Sequence, residues 1–154
     1  MRGRALILAL WLGWLAAPAL AAAAELTVYS AGAMEAGLGP LIEAFRRESG
    51  HAVRLTVAVP NVLRQRVEAG ETPDVLIAPV PVMEALARAG ALRDDPRETV
   101  GKVGVAVVVR AGGRVPDVVA GVLTKSAAPE PAAAFVRHLT TAAARAVFAA
   151  TGVE

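Results

Sequence analysis

Leu26-Thr27-Val28-Tyr29-Ser30-Ala31-Gly32-Ala33-Met34 passes from a β-prone run through a turn into a helix. Leu26 to Tyr29 reads as a strand and Ser30-Ala31-Gly32 as a turn. From Ala33 to Ser49 the apolar residues Met34, Leu38, Leu41, Ile42 and Phe45 recur at helical spacing, and Gly50 stops the run. A strand feeding straight into an amphipathic helix is the opening of an α/β unit.

The rhythm continues downstream. Val53–Val59 reads as a second strand, broken by Pro60-Asn61, and Val62–Ala69 as a helix ended by Gly70. Val75–Ala78 is short and wholly apolar, as a strand covered on both faces should be. Pro81–Ala89 reads as a helix with proline in its first turn and Gly90 beyond its end. Leu92–Gly101, with Asp94-Asp95-Pro96, reads as a loop, and Asp94-Asp95 as a solvated turn rather than a metal pair. Val103–Arg110 is expected as a fourth strand, Ala111–Pro116 as a breaker, and Val118–Leu123 as a fifth strand. Pro129–Leu139 and Ala142–Ala150 are expected helices, with Thr141 capping the second and Gly152 ending it.

Alternating strands and helices predict an α/β domain: three layers, a mostly parallel sheet, and right-handed crossovers. Ligands of such sheets sit outside the carboxyl ends of the strands. Two turns occupy that place, Ser30-Ala31-Gly32 and Pro60-Asn61. Each precedes a helix, so each would offer backbone N–H groups to an anion without using Arg or Lys. Ser30 has two readings, a turn or cap residue and a hydroxyl donor to a bound anion. Asn61 has the same two.

The N-terminus carries an export signal pattern. Met1–Arg4 is basic, Ala5–Ala17 is an apolar run containing Trp11 and Trp14, and Pro18 breaks it before small residues up to Ala24. The run is shorter than the ~20 residues of a spanning helix, which favours cleavage over anchoring. The division expected is 1–24 signal peptide and 25–154 a single lobe, with 25–117 its first part and 118–154 a returning strand and the C-terminal helices. The whole chain has 16 Lys+Arg against 14 Asp+Glu. Removing Arg2 and Arg4 makes the two equal, so no basic surface for nucleic acid is expected. The chain has no Cys, which excludes disulfides, thiolate zinc sites and a lipid-anchored cysteine.

Catalytic patterns are missing from the sequence. There is no Gly-x-Ser-x-Gly elbow and no phosphate loop, and Gly101-Lys-Val-Gly104 is not one. His51 and His138 lie in no metal-ligand spacing and read as helix-end or surface residues. No enzyme activity, cofactor or metal is expected.

The stretch Leu26–Met34 after a signal peptide resembles the first strand and turn of the periplasmic molybdate-binding proteins of ABC transporters. Leu63-Arg-Gln-Arg-Val-Glu-Ala-Gly-Glu-Thr-Pro-Asp-Val-Leu-Ile-Ala78 resembles that family's second motif. Phe135–Leu139, Ala144–Phe148 and Gly152 resemble its C-terminal helix pair. The resemblance implies a type II periplasmic-binding fold and a small anion such as molybdate or tungstate. It implies a membrane permease as partner and the periplasm as location. It assigns Ser30 as the first donor; the anion site expected has Ser30 and the N–H groups of Ala31 and Gly32 on one half and Asn61 opposite. The family's second serine is replaced here by Val59-Pro60-Asn61-Val62, and a serine after the third strand by Ala78-Pro79. Pro116-Asp117 runs directly into a strand resembling the one that returns from the second lobe. Most of that lobe is therefore expected to be absent. The alternatives are a single-lobe interaction module, with possible self-association, and a truncated remnant that no longer binds solute.

Overall fold

The computed structural model describes residues 23–102 and 117–153. Its strands are β1 (Glu25–Ala31), β2 (Ala52–Ala58), β3 (Val75–Pro79), β4 (Leu92–Lys102) and β5 (Asp117–Leu123). Its helices are α1 (Glu35–Ser49), α2 (Pro60–Glu68), α3 (Val80–Arg88), α4 (Pro129–Leu139) and α5 (Ala142–Ala150). A short 3-10 turn, Gly32–Met34, joins β1 to α1. The expected signal segment, except for Ala23 and Ala24, lies outside the described residues, as do the strand Val103–Arg110 and the breaker Ala111–Pro116.

The sheet has five strands in the order β2-β1-β3-β5-β4. β2, β1 and β3 run parallel, while β5 is antiparallel to both β3 and β4. The sheet is thus mixed, and its parallel character is confined to β2-β1-β3. One face packs on α1, α4 and α5 through Leu26, Val28, Ile77, Phe45, Phe135 and Phe148. The other packs on α2 and α3 through Leu63, Leu76, Met83 and Leu86. β3 is buried along Val75–Ala78 because helices cover both its faces.

The expected loop at Leu92–Gly101 is a strand. β4 ends the strand order, and only Leu92, Pro96 and Val100 of its residues are buried. Its register with β5 shifts between Leu92 and Arg97 and again between Thr99 and Gly101. An edge strand tolerates charge and proline because only one side of it must pair, so its sequence looks like a loop.

The predicted stops hold. Gly50 ends α1 at φ 75°, a left-handed conformation that costs glycine little. Thr141 Oγ1 accepts the Ala144 N–H at 3.2 Å and caps α5. α2 begins at Pro60 rather than Val62, because proline suits a first helical position.

α1 approaches α5 most closely at Gly37. A Cβ there would lie 2.5 Å from Phe148 Cδ1 and 3.1 Å from Thr151 Oγ1. Phe148 is 2% exposed and has no room to retreat. Gly37→Ala is therefore expected to destabilise the protein by about 1–3 kcal/mol, despite alanine's better helix propensity. Urea unfolding would show a lower midpoint with an unchanged slope; an equal or higher midpoint would refute the close packing of α1 on α5.

Candidate functional site

The carboxyl ends of β1, β2 and β3 lie on one edge of the sheet, and a helical element begins from each. The turn after β1 starts at Gly32, α2 follows Val59, and α3 follows Pro79. None of these three starts is capped by a side chain. In α2 the hydrogen-bonded ladder begins only at Val62, whose N–H donates to Val59 O at 3.0 Å. The Asn61 amide precedes that ladder. Uncapped N-termini carry unpaired N–H groups and the positive end of the helix dipole, so this edge favours a negative charge.

The four expected site residues lie at or beside this edge. Ala31 is in register with Ala58, which brings the Gly32 turn beside Val59 and Pro60. Asn61 is exposed in the first turn of α2. Gly32 is exposed and Ala31 is 4% exposed. Ser30 is on β1 itself, in register with Val57 and Ile77. It follows Leu26 and Val28 on the face covered by α1, so it has 0% exposure, and its hydroxyl donates to Ala31 O at 3.1 Å. β4 leaves the sheet and β5 enters it at the same edge, where Lys102 is in register with Asp117.

The opposite edge is closed by side chains, chiefly the buried carboxylate of Asp74. Its Oδ2 accepts from Thr27 N–H at 2.8 Å and Thr27 Oγ1 at 2.9 Å. Its Oδ1 accepts from Ser126 Oγ at 2.7 Å, Ala127 N–H at 3.0 Å and Ala128 N–H at 3.2 Å. Burial alone would raise the Asp74 pKa. The hydrogen bonds from Ser126, Thr27 and Ala128 outweigh it and hold the carboxyl below its ordinary value. The sequence marks Asp74 only as part of a resemblance; nothing in its spacing announces five donors from two distant segments.

Tyr29, His51 and His138 have structural partners, while the buried Arg64 Nε, Asp117 Oδ1 and His138 Nε2 accept or donate no hydrogen bond. Tyr29 donates its hydroxyl to the Glu71 carboxylate, which together with burial raises the phenol's pKa, and the Arg66 guanidinium lies 6.0 Å from the ring centroid. His51 Nδ1 accepts from Ala24 N–H at 3.1 Å. His138 is not a surface residue: its side chain is 12% exposed, packs against Phe45 and lies 3.4 Å from Glu48. It is drawn in because α4 packs its apolar face on α1. Among the described residues no three His, Asp or Glu side chains cluster as metal ligands. Cavities of about 170 and 140 Å³ lie at the far ends of α2 and α3 and between β4 and α4, away from the uncapped edge.

Residues 26–119 match the family described as bacterial extracellular solute-binding protein. No curated protein matches the sequence. Among solved structures the chain resembles the substrate-binding domain of an ABC transporter assigned to molybdenum, from Clostridium difficile. That match has TM-score 0.71 and 14% identity, covering 86% of this chain and 99% of that one. It also resembles the periplasmic molybdate-binding protein of Azotobacter vinelandii, at TM-score 0.69 and 14% identity, covering 84% and 98%. A third likeness is the sulfate-binding protein of Mycobacterium tuberculosis, at TM-score 0.67 and 12% identity, covering 84% and 86%. Likeness at these identities shows the fold.

The Asp74 network carries a test in pH. A carboxylate whose pKa is lowered by folding stabilises the native state above its free-chain value of about 3.9, and that contribution fades as pH falls through the lower folded value. Asp74→Asn keeps the shape but turns an N–H donor toward other donors. It is expected to lose on the order of 3 kcal/mol at pH 7, and its melting temperature should fall less steeply below pH 4 than the parent's. Parallel acid limbs in the two proteins would show that Asp74 is not the group responsible.

Proposed function

The chain belongs to the bacterial extracellular solute-binding proteins and has the fold of one lobe of the type II periplasmic-binding architecture, and on that premise we propose that it holds a small anion at the uncapped edge for delivery to a membrane permease. The family binds solutes rather than transforming them, and the chain is not an enzyme. One observation carries the proposal: three adjacent parallel strands each end in a helical start that no side chain caps. On this reading the N–H groups of Ala31 and Gly32 face one side of the anion and Asn61 the other. The Ser30 hydroxyl joins them by releasing the Ala31 carbonyl. The anion is of the molybdate or tungstate type or a carboxylate, with the domain exported to the periplasm behind Met1–Ala24.

A thermal-shift panel of molybdate, tungstate, sulfate, phosphate and small organic acids tests the reading. A ligand that binds only the native state raises the melting temperature as its concentration exceeds Kd. One class of anion is expected to give a saturable rise. Asn61→Ala and Ser30→Ala should each weaken that anion about tenfold or more, the worth of one hydrogen bond to a charged group. Undiminished binding by Ser30→Ala would leave Ser30 as a turn residue and the backbone N–H groups as the site. A cooperative melt with no anion response, together with concentration-dependent self-association by light scattering, would favour the interaction module.

A further inference from the structure

We propose that β2 is a self-association strand: two copies of this chain pair their β2 strands antiparallel about a two-fold axis at Leu55. The inference concerns the outer flank of the sheet and does not rest on the solute-binding reading.

The two outer strands of the sheet are built differently. β4 closes one flank with Arg93, Asp94, Asp95, Pro96, Arg97 and Glu98 and with two slips of register. Charge, proline and bulges keep an outer strand from pairing with another chain. β2 closes the other flank as Ala52-Val-Arg-Leu-Thr-Val-Ala58, without proline or glycine. Its one charge, Arg54, is held by Glu25 of β1 at 2.8 Å. Its register with β1 is unbroken from Ala52 to Ala58, so it carries no bulge. Ala52 N–H donates to Ala24 O at 2.9 Å. Ala52, Arg54, Thr56 and Ala58 therefore turn their backbone groups toward β1. Val53, Leu55 and Val57 turn theirs outward, and no strand among the described residues meets them.

A second copy fits these groups because the strand reads nearly the same in both directions. Centred on Leu55, antiparallel pairing sets Leu55 opposite Leu55, Val53 opposite Val57 and Ala52 opposite Ala58. The outward N–H and C=O groups of Val53, Leu55 and Val57 then bond pairwise. Their side chains are half-buried on the α1 side of the sheet, where Val53 and Leu55 pack on the core, and each meets an apolar residue across the pair. Arg54 comes opposite Thr56 rather than a second Arg54, so no like charges oppose. Val59, extended and 63% exposed just beyond the strand, comes opposite the second copy's His51. One strand pair buries less than the ~1,600 Å² of a standard interface, so the dimer is reversible and dissociates on dilution.

Sedimentation equilibrium of the purified protein over a wide concentration range tests this, and a monomer–dimer equilibrium is expected. Thr56→Glu sets a carboxylate opposite each Arg54 and should tighten the dimer about threefold or more, while Thr56→Lys sets like charges opposite and should weaken it by a similar factor. Thermal melts matching the parent's would show that neither variant disturbs the fold. The chain has no Cys, so single cysteines report the register. Leu55→Cys should oxidise to a cross-linked dimer, because a paired Cα separation of about 5.5 Å lies within disulfide reach. Val53→Cys alone should not, whereas Val53→Cys mixed with Val57→Cys should. A protein that is monomeric at every concentration overturns the inference, and an anion response in that monomer leaves the solute-binding reading standing. A dimer indifferent to both Thr56 charges associates through another surface and overturns it too. So does cross-linking through Val53→Cys alone as ready as through Leu55→Cys.

Discussion

The Asp74 carboxylate is the interaction on which the rest of the arrangement depends. It joins the start of β3 to Thr27 of β1 and to the Ser126–Ala128 segment that launches α4. Each partner lies 47 to 54 residues from Asp74 in the chain. The Asp74 N–H also donates to Thr27 O at 2.8 Å, and Leu123 N–H donates to Asp74 O at 3.1 Å. β1, β3 and β5 are therefore pinned at one end by a single residue. A buried carboxylate is tolerable only when its lone pairs are filled, and this one receives five donors.

Pinning that end leaves the other end free of side-chain caps. The Ala127 and Ala128 N–H groups just before α4 donate to Asp74, and α5 is capped by Thr141. α2, α3 and the turn before α1 receive nothing comparable. A missing cap costs about 1 kcal/mol; α4 also lacks a side-chain cap, and three uncapped starts fall together on one edge. The parallel order of β2, β1 and β3 produces this grouping, because parallel strands place all their following helix starts on the same side. The uncapped helix starts and the fold-holding groups are thus separated by the length of a strand.

The α/β class and the strand–helix turns were legible because β1, α1, α3 and α5 follow the local rules of period and punctuation. β4 was not, because an edge strand with slipped register buries one residue in four and reads as polar coil. The mixed direction of the sheet was hidden as well, because nothing in the apolar run of β5 fixes that it pairs antiparallel with β3. Ser30 was visible as the first residue of the turn. Its burial was not, since that depends on whether the strand ends before or after it. β1 runs through Ala31, and a one-residue difference in where a strand ends decides which face a side chain meets. Val59 was read as the last residue of a strand. Its exposure follows from β2 ending at Ala58 and α2 turning away at Pro60.

The open edge also bounds what a single lobe can bind. A small ligand is ordinarily ~70–90% buried, and the carboxyl edge of one sheet reaches it from one side. Hydrogen bonds to a charged group contribute about 1.5–3 kcal/mol each. Three at the low end amount to about 4.5 kcal/mol, a Kd near the millimolar range. Tighter binding must come from a second wall or from contacts that need no donor. The ends of β4 and β5 open onto this same edge at Lys102 and Asp117. Where such a wall is small, apolar contact gains in importance, because each buried methylene contributes ~0.8 kcal/mol and leaves no polar group unpaired.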